Sequence, residues 1–185
     1  METCSREKTN STYIASPVAI SSSSIDHVDL GFLNQSTRMQ IYNLIQTDPG
    51  IYFREICDRL GLSIGTVQYH LDLLVRKKRV VEKQDGRYIR YFEAKKYAQI
   101  EMRMISFLKH STTRQILIAL QASPCTHKEL TGLLGISSQA LTWQMNRLRK
   151  TGFIYVIADK LTIKYSLTSK ADSLVRIACL QLKGS

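Results

Sequence analysis

Hydrophobic residues recur at helical spacing from Thr37 onward. Ile41, Leu44 and Ile45 fall on one face of a helix, which is the pattern of an element that packs one side against a core. The run Asp48-Pro49-Gly50 then has the composition of a turn and ends the periodic segment. The pattern predicts an amphipathic helix that begins near Thr37 and stops before this turn.

A second helical pattern begins at Ser63, a residue type that caps helix N-termini. Gly61 just before it suits the left-handed residue that ends a preceding short helix. Val67, Leu71 and Leu74 recur at i, i+4 and i+7, so one face of the longer helix points inward. The opposite, solvent-facing side carries small, polar and aromatic residues: Gly65, Thr66, Gln68, Tyr69 and Asp72.

A two-residue alternation follows the longer helix. Val80 and Val81, and then Ile89 and Tyr91, have the spacing of two short strands. The run Gln84-Asp85-Gly86-Arg87 lies between them and supplies turn residues. The sequence therefore predicts a two-stranded hairpin with a basic tip.

The whole pattern occurs twice. Residues 54–93 align without a gap on residues 128–167, a shift of 74 positions. The identical or equivalent pairs are Glu55 and Glu129, Leu60-Gly61 and Leu134-Gly135, Ser63 and Ser137, Leu74 and Leu148, Asp85 and Asp159, Ile89 and Ile163, and Tyr91 and Tyr165. Two small domains in tandem follow. A domain of about 60 residues buries only about 60% of its unfolded surface, so we expect the two to be in contact.

The segment between the repeats has no Gly or Pro over residues 94–109 and has more than one apolar face. This predicts a helix that packs between the two domains, pairs with a second subunit, or does both. Apolar residues after Ser169 indicate a C-terminal helix. Residues 1–35 are rich in Ser and Thr and show no sustained period, which predicts a flexible arm.

The net charge of the chain is +11, while 44% of its residues are hydrophobic and 22% are charged. This composition is that of a globular protein, and the positive excess falls outside the net acidic residues 1–37. A polyanionic partner is the natural inference. The alternative is that the Lys and Arg side chains serve solubility alone.

Several classes of function find no support in the sequence. Cys4, Cys57, Cys125 and Cys179 lie far apart without paired spacing, so neither a zinc site nor a disulfide framework is indicated. No phosphate-binding loop, dinucleotide fingerprint or catalytic motif occurs, and no apolar run reaches the length of a membrane span. We therefore expect a cytoplasmic protein without enzymatic activity, cofactor, metal or membrane association.

The segments 49–56, 61–71 and 86–92 resemble the winged helix-turn-helix superfamily in its ArsR/MarR-like branch. The chain is most similar to predicted archaeal transcriptional regulators with two such domains, and the resemblance extends over roughly residues 37–168. It implies a mainly α fold with small β-wings (α+β), in which two tandem winged helix-turn-helix domains are joined by a linker helix and followed by a C-terminal helix. It also implies a short strand at Ile51-Tyr52-Phe53. The expected segments are an arm at 1–35, domain 1 at 36–93, a linker helix at 94–110, domain 2 at 111–168 and the C-terminal helix at 169–185.

In the first copy, the recognition helix would be 64–77 and the wing 84–90. Gln pairs with adenine in the major groove, and the Thr methyl can meet that of thymine. The expected groove contacts are Ser63, Thr66, Gln68 and Tyr69; the expected phosphate contacts are Arg76 and Lys77; and the expected wing contacts along the minor groove are Arg87 and Arg90. His70 is expected to be a packed, hydrogen-bonded histidine. Lys78 occupies the position where the second copy has Gly152, so a left-handed cap there would strain it by about 1 kcal/mol.

In the second copy, the equivalent DNA-facing residues are Ser138, Gln139, Thr142, Asn146 and Lys150. Its wing lacks an arginine at the tip, however, and Trp143 on its recognition helix could equally stack on a protein. Contact with DNA and contact with a protein therefore both stay open for this copy.

The sequence as a whole predicts a sequence-specific regulator of transcription that binds double-stranded DNA as a homodimer. Two alternatives belong to other classes. One is a winged-helix adaptor within a transcription or nucleic-acid processing complex, and the other is a sensor gated by a small-molecule effector, which the sequence does not identify.

Overall fold

The computed structural model describes residues 26–159 and 161–183. The first copy of the repeat lies in this element order: α1 Asp26–Thr47, β1 Ile51–Tyr52, α2 Phe53–Leu60, α3 Ile64–Arg76, β2 Val80–Asp85 and β3 Tyr88–Glu93. A connecting helix, α4, spans Gln99–Lys109. The second copy and the C-terminal helix follow as α5 Ser111–Ala122, β4 Cys125–Thr126, α6 His127–Leu134, α7 Ser138–Lys150, β5 Ile154–Asp159, β6 Thr162–Leu167 and α8 Ser169–Lys183.

The repeat found in the sequence is also a repeat of structure. Each element from β1 to β3 has the same bounds as its counterpart from β4 to β6 after the shift of 74 positions. Each copy forms a three-stranded antiparallel sheet in which the third strand lies in the centre, in the orders β1-β3-β2 and β4-β6-β5. The predicted fold of two tandem winged helix-turn-helix domains with a helix between them and a helix after them is confirmed.

Helix α1 begins at Asp26, well before the predicted start at Thr37. Between these positions the chain has no proline and a single glycine, Gly31, so nothing in the backbone prevents the helix from extending toward its N-terminus. Residues 26–35, which we expected to belong to a flexible arm, are therefore helical. The rest of that predicted arm, residues 1–25, lies outside the described residues.

The connecting helix starts later than predicted. Residues 94–98 form a turn in which Lys95 has a φ of 65°. The hairpin continues one step into this turn, because the Ala94 N–H donates to Arg79 O at 2.9 Å. The Glu101 carboxylate then accepts a hydrogen bond from the Ala98 N–H at 2.6 Å, which satisfies a free amide at the start of α4.

The first domain has its own hydrophobic core. Ile41 and Ile45 from α1 pack with Ile56 from α2, and the predicted inward face of α3 closes the core from the other side. The three residues predicted for that face are all buried: Val67, Leu71 and Leu74. The period seen in the sequence therefore identifies the buried side of each helix in this domain.

The second domain shares its core with the connecting helix and with the end of the first wing. Phe92, the last residue but one of strand β3, is fully buried in the same cluster as Met104 and Leu108 of α4. Leu141 of α7 and Val175 of α8 belong to this cluster as well. The connecting helix thus packs between the two domains, one of the alternatives that its several apolar faces allowed.

Both recognition helices end in the same way. In the first copy the Arg79 N–H donates to Leu74 O at 2.9 Å, and Lys78 has a left-handed φ of 54°. In the second copy the Phe153 N–H donates to Leu148 O at 3.1 Å, and Gly152 has a φ of 72°. The predicted left-handed conformation of Lys78 is therefore present, in a position that favours glycine.

Within the described ranges, none of the helices combines the length and the hydropathy that crossing a bilayer requires. The same part of the chain contains no group of three or more His, Cys, Asp or Glu side chains placed to bind a metal ion.

Candidate nucleic-acid interface

The start of recognition helix α3 is fixed by its cap. The Ser63 hydroxyl accepts a hydrogen bond from the Thr66 N–H at 3.2 Å, and the two hydroxyl oxygens lie 2.8 Å apart. Ser63 is exposed, and Thr66 is half-buried. Both predicted contact residues therefore hold the helix end in place, while the Ser63 side chain also faces solvent.

Gln68 and Tyr69 project from the exposed side of α3. Tyr69 keeps 52% of its surface accessible, and its ring meets the His70 ring edge-on at a centroid distance of 5.1 Å. The Gln68 amide donates to Asp72 Oδ1 at 2.8 Å. Tyr69 is thus free to stack or to donate its hydroxyl, whereas Gln68 must exchange Asp72 for a base before it can read adenine.

Ile64 is an exposed hydrophobic residue in the first turn of α3 that the sequence did not single out. It lies one turn before Val67, so helical spacing alone assigns it to the buried stripe. In the structure 57% of its surface is exposed, because the first turn extends past the core. An apolar side chain at this place can contact a thymine methyl group.

A run of four exposed cations, residues 76–79, follows the recognition helix. The Arg76 Nε donates only to a backbone oxygen, that of Asp72 at 3.3 Å. The Arg79 guanidinium lies 5.3 Å from the centroid of the Tyr42 ring. Within the described part of the chain none of the four makes an ion pair with a carboxylate, so their charge is available to phosphates.

The first wing has an exposed tip. The hairpin turn consists of Gly86 and Arg87, because Asp85 pairs with Tyr88 across the strands. Arg87 is exposed, as the predicted wing contact requires. Tyr88 is 56% exposed, and its ring lies 6.0 Å from that of Tyr52.

The second predicted wing contact, Arg90, is wrong as a DNA contact in this structure, since only 5% of its side chain is exposed. Its Nε donates to Asp85 Oδ2 at 2.7 Å, and its Nη1 donates to Gly50 O at 2.8 Å. Arg90 points toward the body of the domain because these acceptors, a carboxylate and a backbone carbonyl, lie there. These hydrogen bonds hold the first wing against the turn that follows α1.

Asp85 is the centre of a buried ionic cluster. Besides Arg90, its carboxylate meets His110 Nε2 at 2.9 Å and Arg147 Nη2 at 3.2 Å. Burial by itself would raise the pKa of Asp85, but the hydrogen bonds from Arg90 and His110 outweigh it and hold the pKa below its usual value. The carboxylate is thus ionised and ties the first wing to the α4–α5 junction and to α7.

His70 is packed inside the first domain, with 1% of its surface exposed. Its Nδ1 has no hydrogen-bond partner among the described residues, so the expectation of a hydrogen-bonded histidine is not met at this atom. Burial and the nearby Arg38 charge lower the pKa of His70. The ring is therefore neutral in the folded protein.

The second recognition helix, α7, presents the predicted polar residues on its exposed side, namely Ser138, Gln139, Thr142, Asn146 and Lys150. Two of them already have partners within the chain. The Thr142 hydroxyl donates to Ser138 O at 2.8 Å and also lies 3.2 Å from His127 Nε2. Fewer free hydrogen-bonding groups remain here than the sequence alone suggested.

Trp143 and Arg147 give α7 a different surface from that of α3. Trp143 is 58% exposed, and the Arg147 guanidinium lies 4.8 Å from the centroid of its ring. The same guanidinium lies 5.0 Å from the centroid of the Phe107 ring. Because Arg147 is stacked between two aromatic rings and paired with Asp85, it is held away from a phosphate contact.

A basic cleft of about 390 Å³ separates the first wing from the end of α7. Its lining residues include four cations, Lys83, Arg103, Arg147 and Lys150. Arg103 and Lys150 are exposed. Positive charge therefore continues from the first wing to the C-terminal end of the second recognition helix.

Comparison with known proteins matches both halves of the chain to helix-turn-helix families. Residues 35–105 match a family model described as an N-terminal HTH domain. Residues 109–155 match a family model described as winged helix-turn-helix DNA-binding. Together the two matches extend from the first domain to the end of the second recognition helix and into its wing.

A curated relative is an uncharacterized HTH-type transcriptional regulator of Methanocaldococcus jannaschii, 26% identical over 124 residues. The match covers 66% of this chain but 31% of the relative, so the chain spans about a third of that protein's length. Among solved structures, HlyU from Vibrio cholerae is 20% identical with a TM-score of 0.41, over 45% of this chain and 91% of HlyU. The transcriptional repressor BigR from Xylella fastidiosa is 27% identical with a TM-score of 0.37, over 40% of this chain and 76% of BigR.

The family matches agree with the architecture. Each copy has the helix–turn–helix pair and the two-stranded wing, and each matched range contains one recognition helix. Residues 35–105 and 109–155 thus each match a helix-turn-helix family, and the chain carries two winged helix-turn-helix domains in tandem.

Proposed function

We propose that this regulator binds double-stranded DNA sequence-specifically through its first domain, residues 36–93, with α3 in the major groove and the first wing along the adjacent backbone or minor groove. One observation carries the proposal. The exposed Tyr69 and Gln68 stand on a capped helix that leads directly into the four exposed cations 76–79. Base-reading groups and phosphate-binding groups thus follow one another on a single element.

The roles within this element follow from chemistry. Gln68 reads adenine once its amide leaves Asp72, and Ile64 and the Thr66 methyl contact thymine methyl groups. Arg76 and Lys77 bind phosphates, which fixes the register of the helix on the duplex. Asp72 repels phosphates, so it lies over the groove and away from the backbone.

The second domain, residues 111–168, contributes chiefly through its position. Its Arg147 is engaged with Asp85. The exposed Lys150 of α7 and the exposed Arg103 of α4, both in the basic cleft, bind phosphates of the same duplex. We further propose that the protein acts in the cytoplasm as a non-enzymatic homodimer. A two-fold dimer places its half-sites about 34 Å apart, one helical turn of DNA, or a multiple of that distance apart.

The test begins with selection of bound fragments from genomic DNA by the purified protein, followed by titration of the selected duplex. Gln68→Ala and Tyr69→Ala should each weaken specific binding roughly 5- to 150-fold, since each removes a base contact worth about 1–3 kcal/mol. Binding to an unrelated duplex should change little. If neither variant changes the affinity for the selected duplex, α3 is not the reading helix.

A second candidate function, a protein-binding adaptor, is favoured by the exposed Trp143 on α7. Trp is enriched at the centres of protein interfaces and is unusual on a free surface. Trp143→Ala should leave DNA affinity unchanged if α3 alone reads the sequence. Loss of regulation in cells with DNA binding intact would assign Trp143 to a protein partner.

A further inference from the structure

The second wing has an apolar strand at the edge of its sheet. Strand β5 pairs only with β6 among the described strands, so its other side carries unpaired backbone groups. Tyr155, Val156, Ile157 and Ala158 are exposed one after another, although successive residues of a strand point to opposite faces. The hairpin therefore shows an apolar surface on both of its faces.

The first wing provides an internal comparison. At the positions that match Val156 and Ile157 after the shift of 74, strand β2 carries Glu82 and Lys83. Charged residues on an edge strand, Lys above all, are a common means by which proteins prevent other strands from pairing with them. Strand β2 has this protection and strand β5 lacks it.

The second wing exposes several large apolar side chains. Five residues of the second wing are more than a third exposed: Tyr155 at 47%, Val156 at 40%, Ile157 at 36%, Leu161 at 95% and Ile163 at 58%. A strand laid along β5 would cover part of this surface on both faces of the hairpin, because the side chains beside it alternate between the two faces.

The outer end of the hairpin formed by β5 and β6 is paired with no third strand among the described residues. A two-stranded hairpin by itself is marginally stable in water, and three or more strands with a covered face are needed for independent stability. Near Leu167 and Ile154 the hairpin is supported by the core, because both residues are buried. Strand β6 is still paired with β4 at Tyr165 and Lys164. Beyond them, where Ala158 pairs with the exposed Ile163, the sheet is two-stranded. A further strand along β5 would complete this outer half.

We propose that strand β5 pairs antiparallel with strand β5 of a second copy of this chain, so that the two second-domain sheets join into one. The inference rests on the proposed dimeric regulator and names the surface through which it dimerises. A two-fold axis places the same patch on both sides of such a contact, as an isologous interface requires. The segment 154–158 carries no charged side chain, so two chains of net charge +11 meet here without like charges in contact.

The test is the variant Val156→Lys/Ile157→Lys, measured by sedimentation velocity at micromolar concentration. The wild-type protein should sediment as a dimer and the variant as a monomer. Four lysines brought together weaken self-association by roughly 100-fold or more when the two β5 strands pair about Val156 and Ile157, at the middle of the strand. Both positions are exposed, so the circular dichroism spectrum and the melting temperature of the monomer should change little. A monomeric wild-type protein, or a folded variant that stays dimeric, overturns the proposal.

Ile177→Lys on α8 is the matched control. Ile177 is 48% exposed, so this variant adds a charge to another exposed apolar site, on the C-terminal helix. It should leave the dimer intact. A dimer that is broken by Ile177→Lys and preserved in the double variant would assign the interface to α8 instead.

A cross-linking experiment does not depend on the folding of the double variant. Val156→Cys should give a covalent dimer on oxidation, since pairing of the two β5 strands about Val156 and Ile157 brings the two introduced thiols to neighbouring positions. Glu82→Cys, at the equivalent place on the first wing, should stay at the level given by the native cysteines of the wild-type protein. Equal yields at the two positions would contradict pairing through β5.

The proposal of DNA binding through α3 and the proposal of dimerisation through β5 can be refuted independently of each other. If the interface is right and DNA binding is wrong, the wild-type protein is a β5-linked dimer that ignores duplex DNA. If DNA binding is right and the interface is wrong, Gln68→Ala weakens specific binding while the double lysine variant remains a dimer.

Discussion

Arg147 Nη2 on the second recognition helix lies 3.2 Å from Asp85 Oδ1 on the first wing. The contact joins residues 62 positions apart and links two elements that would each face DNA in an isolated winged helix. It exists because the Asp85 side chain is turned inward, with 8% of it exposed, where Arg90 also reaches it. The two domains are thus coupled by charge as well as by the core around Phe92.

Asp85→Asn should lower the free energy of unfolding by about 3 kcal/mol, because it leaves the buried Arg90 charge without its counter-ion. Asp58→Asn is the matched control. Asp58 pairs with Arg54 at 3.7 Å, and both side chains are about two-thirds exposed, so its loss should cost less than about 1 kcal/mol. Urea denaturation at neutral pH measures both changes. Equal effects would mean that the cluster contributes no more than a surface pair.

Arg87→Ala should weaken binding to many DNA sequences alike. It should reduce the slope of log affinity against log salt by about one, the change expected for one lost phosphate contact. Titrations of the variant and the parent at several salt concentrations give the two slopes. Arg176→Ala serves as the control, since this arginine is 70% exposed on α8 and already pairs with Asp172. An unchanged slope for Arg87→Ala would remove that residue from the interface.

Lys78→Gly should raise the melting temperature, because it relieves a left-handed conformation that costs a non-glycine residue about 1 kcal/mol. The same variant should weaken nonspecific DNA binding, since it removes one cation from the run 76–79. Gly152→Lys makes the reverse exchange at the equivalent cap and should lower the melting temperature by a similar amount. Calorimetry of the two variants tests the pair. A lower melting temperature for Lys78→Gly would refute the relief of strain.

The stability of the protein should fall as the pH is lowered through the ordinary histidine pKa of 6.5, and His70 should be one cause. The pKa of His70 is depressed in the folded state, so the unfolded chain takes up its proton first, and protonation favours unfolding. Above that pH the contribution of the neutral ring is complete. His70→Leu should therefore give a flatter dependence of unfolding free energy on pH between about 7 and 5. Parallel curves for variant and parent would contradict this role.

The end of α2 and the start of α3 could be predicted because local signals determine them. The predicted turn at 84–87 was too long, since Gln84 and Asp85 belong to strand β2. Ser63 and Gly61 determine where helices begin and end, and the apolar period identifies the buried face of α3. The left-handed cap at Lys78 could be predicted as well, by comparison with Gly152. These features depend on neighbours within a few residues, and such neighbours can be read from a sequence.

Features that depend on distant partners could not be read in this way. Arg90 carries a charge beside a predicted wing tip, and only the positions of Gly50 and Asp85 in space show that it points inward. The engagement of Arg147 likewise depends on Asp85 and Phe107, which no local pattern connects to it. The start of helix α1 was predicted incorrectly for another reason. Residues 26–36 have a composition that indicates neither a helix nor a break.

Phe92 belongs to the first wing by its strand and to the second domain by its packing. A fragment ending near Lys109 would leave this ring and one side of α4 facing water, and a fragment beginning at Ser111 would lack the helix that covers its own interior. Each half therefore loses buried apolar surface when it is separated, although the first domain keeps a core of its own. Melting should accordingly proceed as a single cooperative event, and gene fusions that borrow one winged helix need to carry α4 and its neighbours along with it.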